Sequence, residues 1–161
     1  MGSHVSVVPN HQLNRKTPLH TRANVAYFGT FGYELDLNKL SDEEISEVKQ
    51  QITFMKEYRE LIQFGTFYRL KSPFEGNETV WMTVSEDKKT ALVFWYRERN
   101  VVNADFTRVR LQGLDPDLIY RNEYNETENY GDELMNLGLL TTDCTAGEPT
   151  SEDAPCTDYE S

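Results

Sequence analysis

Residues 58–70, YRELIQFGTFYRL, contain the change of pattern that decides the fold of this chain. Before Gly65 the apolar residues recur at helical spacing, whereas after it aromatic and β-branched residues form short runs typical of strands. Glycine often ends a helix, because it adopts left-handed backbone conformations without a steric penalty. The stretch therefore predicts a helical segment followed by a β-rich segment, with the join near Gly65.

A long helix is predicted from Ser41 through residue 63. Ser41 and Glu44 have the capping-box spacing, in which the serine oxygen and the glutamate carboxylate each accept a backbone N–H. Apolar residues then fall near one face at helical spacing, namely Ile45, Val48, Ile52, Met55 and Ile62. A shorter helix is predicted over residues 21–28, ending at Gly29 or Gly32.

The first residues, MGSHVSVVPNHQ, could be read as the remnant of an expression tag, but they predict a short strand. Val5, Val7 and Val8 form a β-branched run that Pro9 stops, as at the end of a buried strand. This strand has no earlier partner in the chain. It therefore pairs with a later strand, or its neighbours lie outside this sequence.

Strands are predicted beyond Gly65 over residues 67–70, 79–84, 91–96, 106–111 and 118–121. A hairpin connection over residues 85–89 joins the second and third strands. Strict alternation in 106–111 places Arg108 and Arg110 on the solvent side. Residues 137–140 are the last apolar patch. This spacing predicts one antiparallel sheet or most of a β-sandwich.

The charge of the chain is unevenly distributed. Residues 1–121 hold equal numbers of acidic and basic residues, so the net charge of −11 lies in residues 122–161, which contain 11 acidic residues and no basic one. Nucleic-acid binding requires a basic surface and is therefore not predicted. No apolar run approaches the ~20 residues of a membrane helix, and no export leader is recognised, so we expect a soluble, cytoplasmic protein.

Residues 141–161 combine Thr, Asp, Glu, Pro and Gly without any period, which predicts an acidic disordered tail. The tail holds both cysteines, Cys144 and Cys156. We expect free thiols, although the two could close a small loop under oxidising conditions.

Several stretches, in a constant order, resemble bacterial α-galactosidases of glycoside hydrolase family 36. They run from Met1 to about Leu139 and read MGSHVSVVPNHQ, TPLHTRANVAYFGTFGYELDL, YRELIQFGTFYRLKSPFEGNE, RLQGLDPDLIY and YGDELMNLGL. The resemblance implies an α+β fragment in which the last strand and helices of a (β/α)8 TIM barrel precede an antiparallel β-sandwich domain. The implied domains are the end of the barrel at residues 1–63, the sandwich without its final strand at 64–140, and the tail at 141–161.

The resemblance also implies hydrolysis of terminal α-linked galactose from melibiose and raffinose-type oligosaccharides, with retention. Retention requires two carboxyl groups about 5–5.5 Å apart, which the family supplies as aspartates in a Lys-Trp-Asp and a Trp-Thr-Ser-Asp stretch. This sequence contains neither stretch, and Thr150-Ser151-Glu152-Asp153 lacks the tryptophan. No catalytic residue is therefore assigned here, and the chain alone is predicted to be inactive.

His4, Asn10 and His11 are the candidate substrate-binding residues. Barrel active sites collect at the carboxyl ends of the strands, and the loop that holds these residues leaves such an end. They could contact sugar hydroxyls, or they could hydrogen-bond only to loop backbone. Glu34 and Asp36 could share one strand face, but they are expected as solvated acids near a helix start.

Trp81 and Trp95 could form a sugar-stacking platform, although strands this apolar favour core positions for both. His20 lies outside any metal-ligand spacing, so neither a metal nor a cofactor is predicted.

The expected partners are galactosides in the full-length enzyme, which we expect to be a homo-oligomer, with no nucleic acid and no membrane. Two alternatives stay open. The β-region could be a non-catalytic carbohydrate-binding module, or it could be an interaction module that docks the barrel or an oligomer partner. The apolar face of the 41–63 helix would favour association.

Overall fold

The computed structural model describes residues 2–10, 14, 16–97, 107–123 and 125–141. These residues form an α+β chain, with two helices and a parallel strand pair in the first part and antiparallel strands in the second. The chain divides into two compact units, Met1–Gln63 and Phe64–Glu160. Residues 142–161 of the predicted tail, which include both cysteines, lie outside the described residues, and so does His11.

The first unit begins with a β–α–β arrangement. Strand β1 (Val5–Ser6) leads to helix α1 (Leu19–Ala26), and strand β2 (Tyr33–Glu34) returns beside β1 in parallel, with Val5 opposite Tyr33. Parallel neighbours need a crossover connection, and α1 supplies it. The opening strand therefore pairs with a later strand. The resemblance implied that β1 is the last strand of the barrel. This expectation is wrong, because the parallel strand β2 follows β1 in the chain.

Helix α2 (Asp42–Phe64) comes after a short 3-10 helix over Leu37–Lys39. Its start has the predicted capping box. Ser41 Oγ accepts the Glu44 N–H at 3.2 Å, and Glu44 Oε2 accepts the Ser41 N–H at 2.9 Å. Both predicted helices are therefore confirmed, although α1 starts and ends two residues before its predicted limits.

The core of the first unit lies between the two helices and one face of the β1–β2 pair. Val5 is fully buried there, beside Leu19 and Ala23 of α1 and Val48 and Met55 of α2. Aromatic rings from β2, from the α1–β2 connection and from α2 also belong to this core or pack against it, namely Tyr27, Phe28, Phe31, Tyr33 and Phe54.

The buried face of α2 differs in one position from the predicted face. Ile52 is 36% exposed, whereas Gln51 beside it is buried. Gln51 accepts a hydrogen bond from the Tyr33 hydroxyl at 2.8 Å and donates one to Glu47 Oε1 at 2.7 Å. A buried amide with both ends paired costs little stability, and the spacing of apolar residues cannot reveal it.

The second unit is built on a three-stranded antiparallel sheet. Strands β3 (Thr66–Lys71), β4 (Glu78–Val84) and β5 (Ala91–Arg97) lie in the order β3–β4–β5. The turn between β4 and β5 is closed by Ser85, whose N–H donates to the Thr90 carbonyl oxygen at 2.9 Å. These three strands and their hairpin connection are confirmed.

Four short strands and a helix complete the described part of the second unit. Strand β6 (Arg108–Val109) pairs with β9 (Leu139–Leu140), and β7 (Ile119–Arg121) pairs with β8 (Glu128–Tyr130), both antiparallel. Helix α3 (Gly131–Asn136) lies between β8 and β9. Of the predicted strand over 106–111, residue 106 lies outside the described residues, and within 107–111 only Arg108–Val109 form a strand. Strand β8 was not predicted, because it has no alternation of apolar residues. Helix α3 was not predicted either.

The core of the second unit covers one face of the three-stranded sheet. Val80, Met82 and Val84 occupy alternate positions of β4, and all three are buried. Further buried residues come from the chain after the sheet, namely Val109, Leu111, Leu114 and Leu134. Arg108 and Arg110 are exposed, as the alternation predicted.

Two glycines permit close packing that no other residue would allow. A Cβ atom on Gly131 would lie 1.9 Å from the carbonyl oxygen of Asp115, and one on Gly113 would lie 2.2 Å from the Tyr68 hydroxyl. Gly113 also has a φ of +74°, in the left-handed region that glycine favours.

A charged cluster joins the outer strands β3 and β5 through β4. The carboxylate of Glu78 accepts hydrogen bonds from Lys71 Nζ at 2.5 Å and from Arg97 at 3.0 Å. The Arg97 guanidinium also lies 4.9 Å from the ring centre of Trp95. Burial of Glu78 opposes its ionisation, but the hydrogen bonds and charges of Lys71 and Arg97 outweigh it and hold the pKa below its ordinary value of 4.5.

Candidate functional site

The parallel strand pair of the first unit has one apolar face and one polar face. Val5 and Tyr33 face the core with the helices. Side chains alternate along a strand, so His4 and Ser6 lie on the opposite face. Glu34 joins them there, because it is the register partner of Ser6.

The polar face brings His4 and Glu34 into contact. His4 Nε2 lies 2.7 Å from Glu34 Oε2, and the side chains are 53% and 74% exposed. A carboxylate at this distance can only accept a hydrogen bond, so the proton sits on Nε2. Neutral His4 then has Nδ1 as an acceptor, while the protonated ring has a second N–H donor in its place.

Arg22 of α1 binds both ends of the loop that connects β1 to α1. Its Nη1 donates to the Ser6 carbonyl oxygen, at the end of β1, and its Nε donates to the Thr17 carbonyl oxygen at 2.9 Å. Burial lowers the pKa of Arg22, and Glu44 and Glu47 act against this effect. The guanidinium thus fixes the position from which the loop departs.

On the core-facing side of β2, the Tyr33 hydroxyl begins a chain of two hydrogen bonds. The Tyr33 hydroxyl donates to Gln51, which in turn donates to Glu47. Burial, together with the negative charge of Glu47, raises the pKa of Tyr33 to about 12. Tyr33 therefore stays a neutral hydrogen-bond donor over the whole physiological pH range, and it keeps the adjacent Glu34 in register.

The structure places the sequence-predicted site residues in two settings. His4 lies immediately before β1, in contact with Glu34 of β2, whereas Asn10 lies in the loop after β1 and is exposed. The Asn10 carbonyl oxygen accepts the Asn14 N–H at 2.8 Å. His11, the third candidate, lies outside the described residues.

Glu34 is the residue of this site that the sequence reading missed. It was expected as a solvated acid, and its side chain is indeed 74% exposed, but it also lies in β2 and contacts His4, which was not expected. A usable signal was present, because apolar side chains occur at every second position in FGYELDL, residues 31–37, as in a half-buried strand. The expectation for Asp36 is confirmed: it is exposed and caps the 3-10 helix by accepting the Asn38 N–H at 3.1 Å.

The two tryptophans lie on opposite faces of the three-stranded sheet. Trp95 is the register partner of Val80, on the face that packs against the core, whereas Trp81 is the partner of Phe94 on the other face. The rings of Trp81 and Phe94 are stacked, with centres 5.3 Å apart. The two indoles therefore cannot form one flat platform for a sugar.

Two family models match this chain along most of its length. The model described as Melibiase matches residues 1–65, and the model described as Glycosyl hydrolase family 36 C-terminal domain matches residues 78–161. The chain belongs to glycosyl hydrolase family 36.

The relatives of this family 36 chain are larger proteins. Alpha-galactosidase AgaA of Geobacillus stearothermophilus is 52% identical over 139 residues, which are 86% of this chain and 19% of AgaA. The crystal structure of the family 36 alpha-galactosidase AgaB from the same organism matches with a TM-score of 0.84 at 51% identity, over 87% of this chain and 19% of that one. The chain thus spans about a fifth of the length of the relatives it matches.

Two further crystal structures contain substituted forms of AgaA, one in complex with raffinose and one in complex with stachyose. Each is 49% identical to the family 36 chain, with a TM-score of 0.85, over 91% of this chain and 20% of that one.

The described part of this family 36 chain contains no group of three His, Cys, Asp or Glu side chains placed to hold a metal ion. His20 is exposed on α1. In the same described residues, no helix is long and apolar enough to cross a membrane.

Proposed function

We propose that this chain is the C-terminal part of a retaining α-galactosidase that removes terminal α-linked galactose from melibiose- and raffinose-type oligosaccharides. The observation that carries the proposal is the match to AgaA at 52% identity over 86% of the chain. The raffinose and stachyose complexes of substituted AgaA support the substrate class.

The proposed mechanism divides the work between this chain and the rest of the enzyme. A retaining glycosidase uses one carboxylate as nucleophile and one carboxylic acid as acid and then base. By the resemblance, both aspartates precede Met1, and this chain contributes a wall of the site that binds and orients the sugar. The 161 residues alone are therefore expected to have no hydrolytic activity.

We assign the first unit to the end of the (β/α)8 barrel. Support comes from the parallel β1–β2 pair, from the α1 crossover, and from the Melibiase match over residues 1–65. In this arrangement β1 is the last strand but one, and β2 is the last. We assign the antiparallel strands of residues 64–140 to the appended β-sandwich, with support from the C-terminal-domain match.

His4, Asn10 and His11 are proposed to line the galactoside-binding end of this wall. Active sites of such barrels lie at the carboxyl ends of the strands. The exposed side chains of His4, immediately before β1, and of Asn10, in the loop after β1, support the assignment. All three are expected to bind sugar hydroxyls and not to take part in bond cleavage.

An aryl α-galactoside tests the proposed function. The reading frame upstream of Met1 is expected to encode the missing barrel, and the enzyme produced from the whole frame is expected to release nitrophenol. The 161-residue chain, assayed at the same concentration, should match the blank. Turnover by the short chain, or none by the whole enzyme, would contradict the proposal.

The second unit is proposed to act in subunit association. Its surface carries large apolar side chains, with Phe74 95% exposed and the cross-strand partners Ile119 and Tyr130 57% and 53% exposed. Light scattering of the whole enzyme is expected to give a homo-oligomer, and a monomer would contradict this assignment. The cytoplasmic location stays a prediction, which cell fractionation tests.

The alternative function of the second unit, carbohydrate binding without catalysis, is less well supported, because the two tryptophans lie on opposite faces of the sheet. Titration with melibiose or raffinose, followed by tryptophan fluorescence, distinguishes the two functions. A shift at millimolar sugar in the isolated 161-residue chain would favour carbohydrate binding.

A further inference from the structure

We propose that Glu34 is a positioning residue: it fixes the imidazole of His4 so that Nδ1 recognises a hydroxyl of the bound galactoside. The proposal rests on the proposed α-galactosidase function and extends it to a residue with no role assigned so far. Glu34 is proposed to act through His4 and not to contact the reacting atoms.

The location of the pair supports a role on the substrate side of the wall. In a β/α unit the helix covers one face of the strand, and the opposite face lines the barrel interior. Val5 and Tyr33 face the helices, so His4 and Glu34 face the interior. Glu34 also ends β2, which puts its carboxylate at the carboxyl end of the strand, where barrel sites are built.

The residue beside His4 on the neighbouring segment is a glycine, so it brings no side chain toward the imidazole. The Val5–Tyr33 register places Gly32 next to His4 on the neighbouring strand. A Cβ atom on Gly32 would meet nothing within 4 Å. Gly32, which immediately precedes β2, therefore leaves open space on its own side of the strand pair.

The chemistry of the pair fits hydroxyl recognition. In the 2.7 Å contact, His4 Nε2–H donates to Glu34. The other ring nitrogen, Nδ1, is then the atom that can bind a ligand. A sugar hydroxyl can donate to neutral Nδ1 or accept from the protonated ring, so it can bind in either state. A histidine whose other nitrogen is fixed by a carboxylate is also fixed in ring orientation.

Stability alone does not account for this pair. Side chains 53% and 74% exposed form an ion pair that contributes little to folding. The apolar contacts of the same strands lie on the other face, so the strand pair does not need His4 and Glu34 to pack.

The test uses the whole enzyme with an aryl α-galactoside and with raffinose. Glu34→Gln and His4→Gln are each expected to raise KM about tenfold, the effect of losing one hydrogen bond to the substrate. The kcat should stay within about twofold of the parent, because the contact forms in the ground state as well as in the transition state. The inhibition constant of free galactose should rise with KM.

The double variant identifies the route of the effect. If Glu34 acts only through His4, the double variant should have the same KM as His4→Gln alone. Glu57→Gln, which removes an exposed carboxylate from α2, serves as the control and should leave KM unchanged. The thermal midpoint of Glu34→Gln should equal that of the Glu57→Gln control.

Three outcomes would overturn the inference: a KM of Glu34→Gln equal to that of the parent, losses that add in the double variant, or a loss confined to kcat. If Glu34→Gln does not fold, His4→Gln carries the test, and an unchanged KM there rejects the role. Failure of the parent enzyme to cleave any α-galactoside is a different result, because it removes the proposed function as well.

Discussion

The hydroxyl of Tyr120 donates a hydrogen bond to the carbonyl oxygen of Lys88, 32 residues away, at 2.5 Å. The hydroxyl oxygen of Tyr120 also accepts the Asp115 N–H at 2.9 Å. One side chain therefore connects the turn between β4 and β5 with the turn that precedes β7. Within the described part of the second unit, no strand pairing joins these two turns directly.

Tyr120→Phe is expected to lower the free energy of unfolding of the second unit by about 1–2 kcal/mol, since it leaves the Asp115 N–H and the Lys88 carbonyl without this partner. Both tryptophans of the chain lie in this unit, so urea unfolding followed by tryptophan fluorescence measures the change. Tyr130→Phe, at a side chain 53% exposed, is the control and should cost less than about 0.5 kcal/mol. Equal losses would contradict a bridging role.

Glu78→Gln is expected to destabilise the second unit by about 2–3 kcal/mol, because it leaves the Arg97 guanidinium, only 8% exposed, without a charged partner. The matched control is Glu126→Gln, which breaks an ion pair with Arg121 whose side chains are 77% and 61% exposed. That control should change the free energy of unfolding by less than about 0.5 kcal/mol. If the two substitutions cost the same, burial does not decide the contribution of the pair.

The same carboxylate gives a pH dependence. The folded-state pKa of Glu78 lies below 4.5, its ordinary value, so the folded form binds fewer protons than the unfolded form at mildly acidic pH. The stability that ionised Glu78 contributes is fully present above pH 4.5, the ordinary pKa of the carboxyl group, and is lost as the pH falls through the folded-state pKa. The stability difference between the parent and Glu78→Gln should therefore shrink on acidification below pH 4.5. A difference that stays constant in urea titrations at successive pH values would reject this linkage.

Gly131→Ala should destabilise the second unit by about 2–4 kcal/mol, since the new methyl group would overlap the carbonyl oxygen of Asp115. That oxygen belongs to the backbone and cannot move without displacing the turn. Gly76→Ala is the control, because its Cβ would meet nothing within 4 Å. Fluorescence-detected unfolding should separate the two variants clearly, and similar midpoints would show that the turn at Asp115 yields.

Ser41→Ala should destabilise helix α2 by about 1 kcal/mol, because it removes the oxygen that accepts the Glu44 N–H. Ser46 is exposed and lies one turn into the same helix. Ser46→Ala should stabilise the helix by up to about 0.5 kcal/mol, since alanine is the better helix former. Thermal unfolding followed by far-UV circular dichroism measures both. Changes of the same sign would contradict the capping role.

The local features of this fold are readable from the sequence where one short segment decides them. The capping box of α2, the three strands of the main sheet and their hairpin depend on spacing within about ten residues. Arg108 and Arg110 were placed on the solvent side by alternation alone. The end of α2 and the start of β3 likewise follow from the change of period around Gly65.

The features that the sequence did not reveal depend on distant partners. Strand β2 has only two residues, and it exists because β1 lies beside it. Gln51 is buried because Tyr33 and Glu47 pair with its amide. His4 was identified from its place in the opening stretch MGSHVSVVPNHQ, but its contact with Glu34 depends on a parallel register across a crossover helix. No local pattern encodes that register.

The two residues of β2 have opposite surroundings: Tyr33 reaches Gln51 among the helices, and Glu34 reaches His4 on the polar side. Because neighbouring strand positions face opposite ways, a slip of one residue would exchange them. A carboxylate would then enter the apolar interior, and an aromatic ring would occupy the place of the acid. The length of the α1–β2 connection is therefore as strictly constrained as the identity of either side chain.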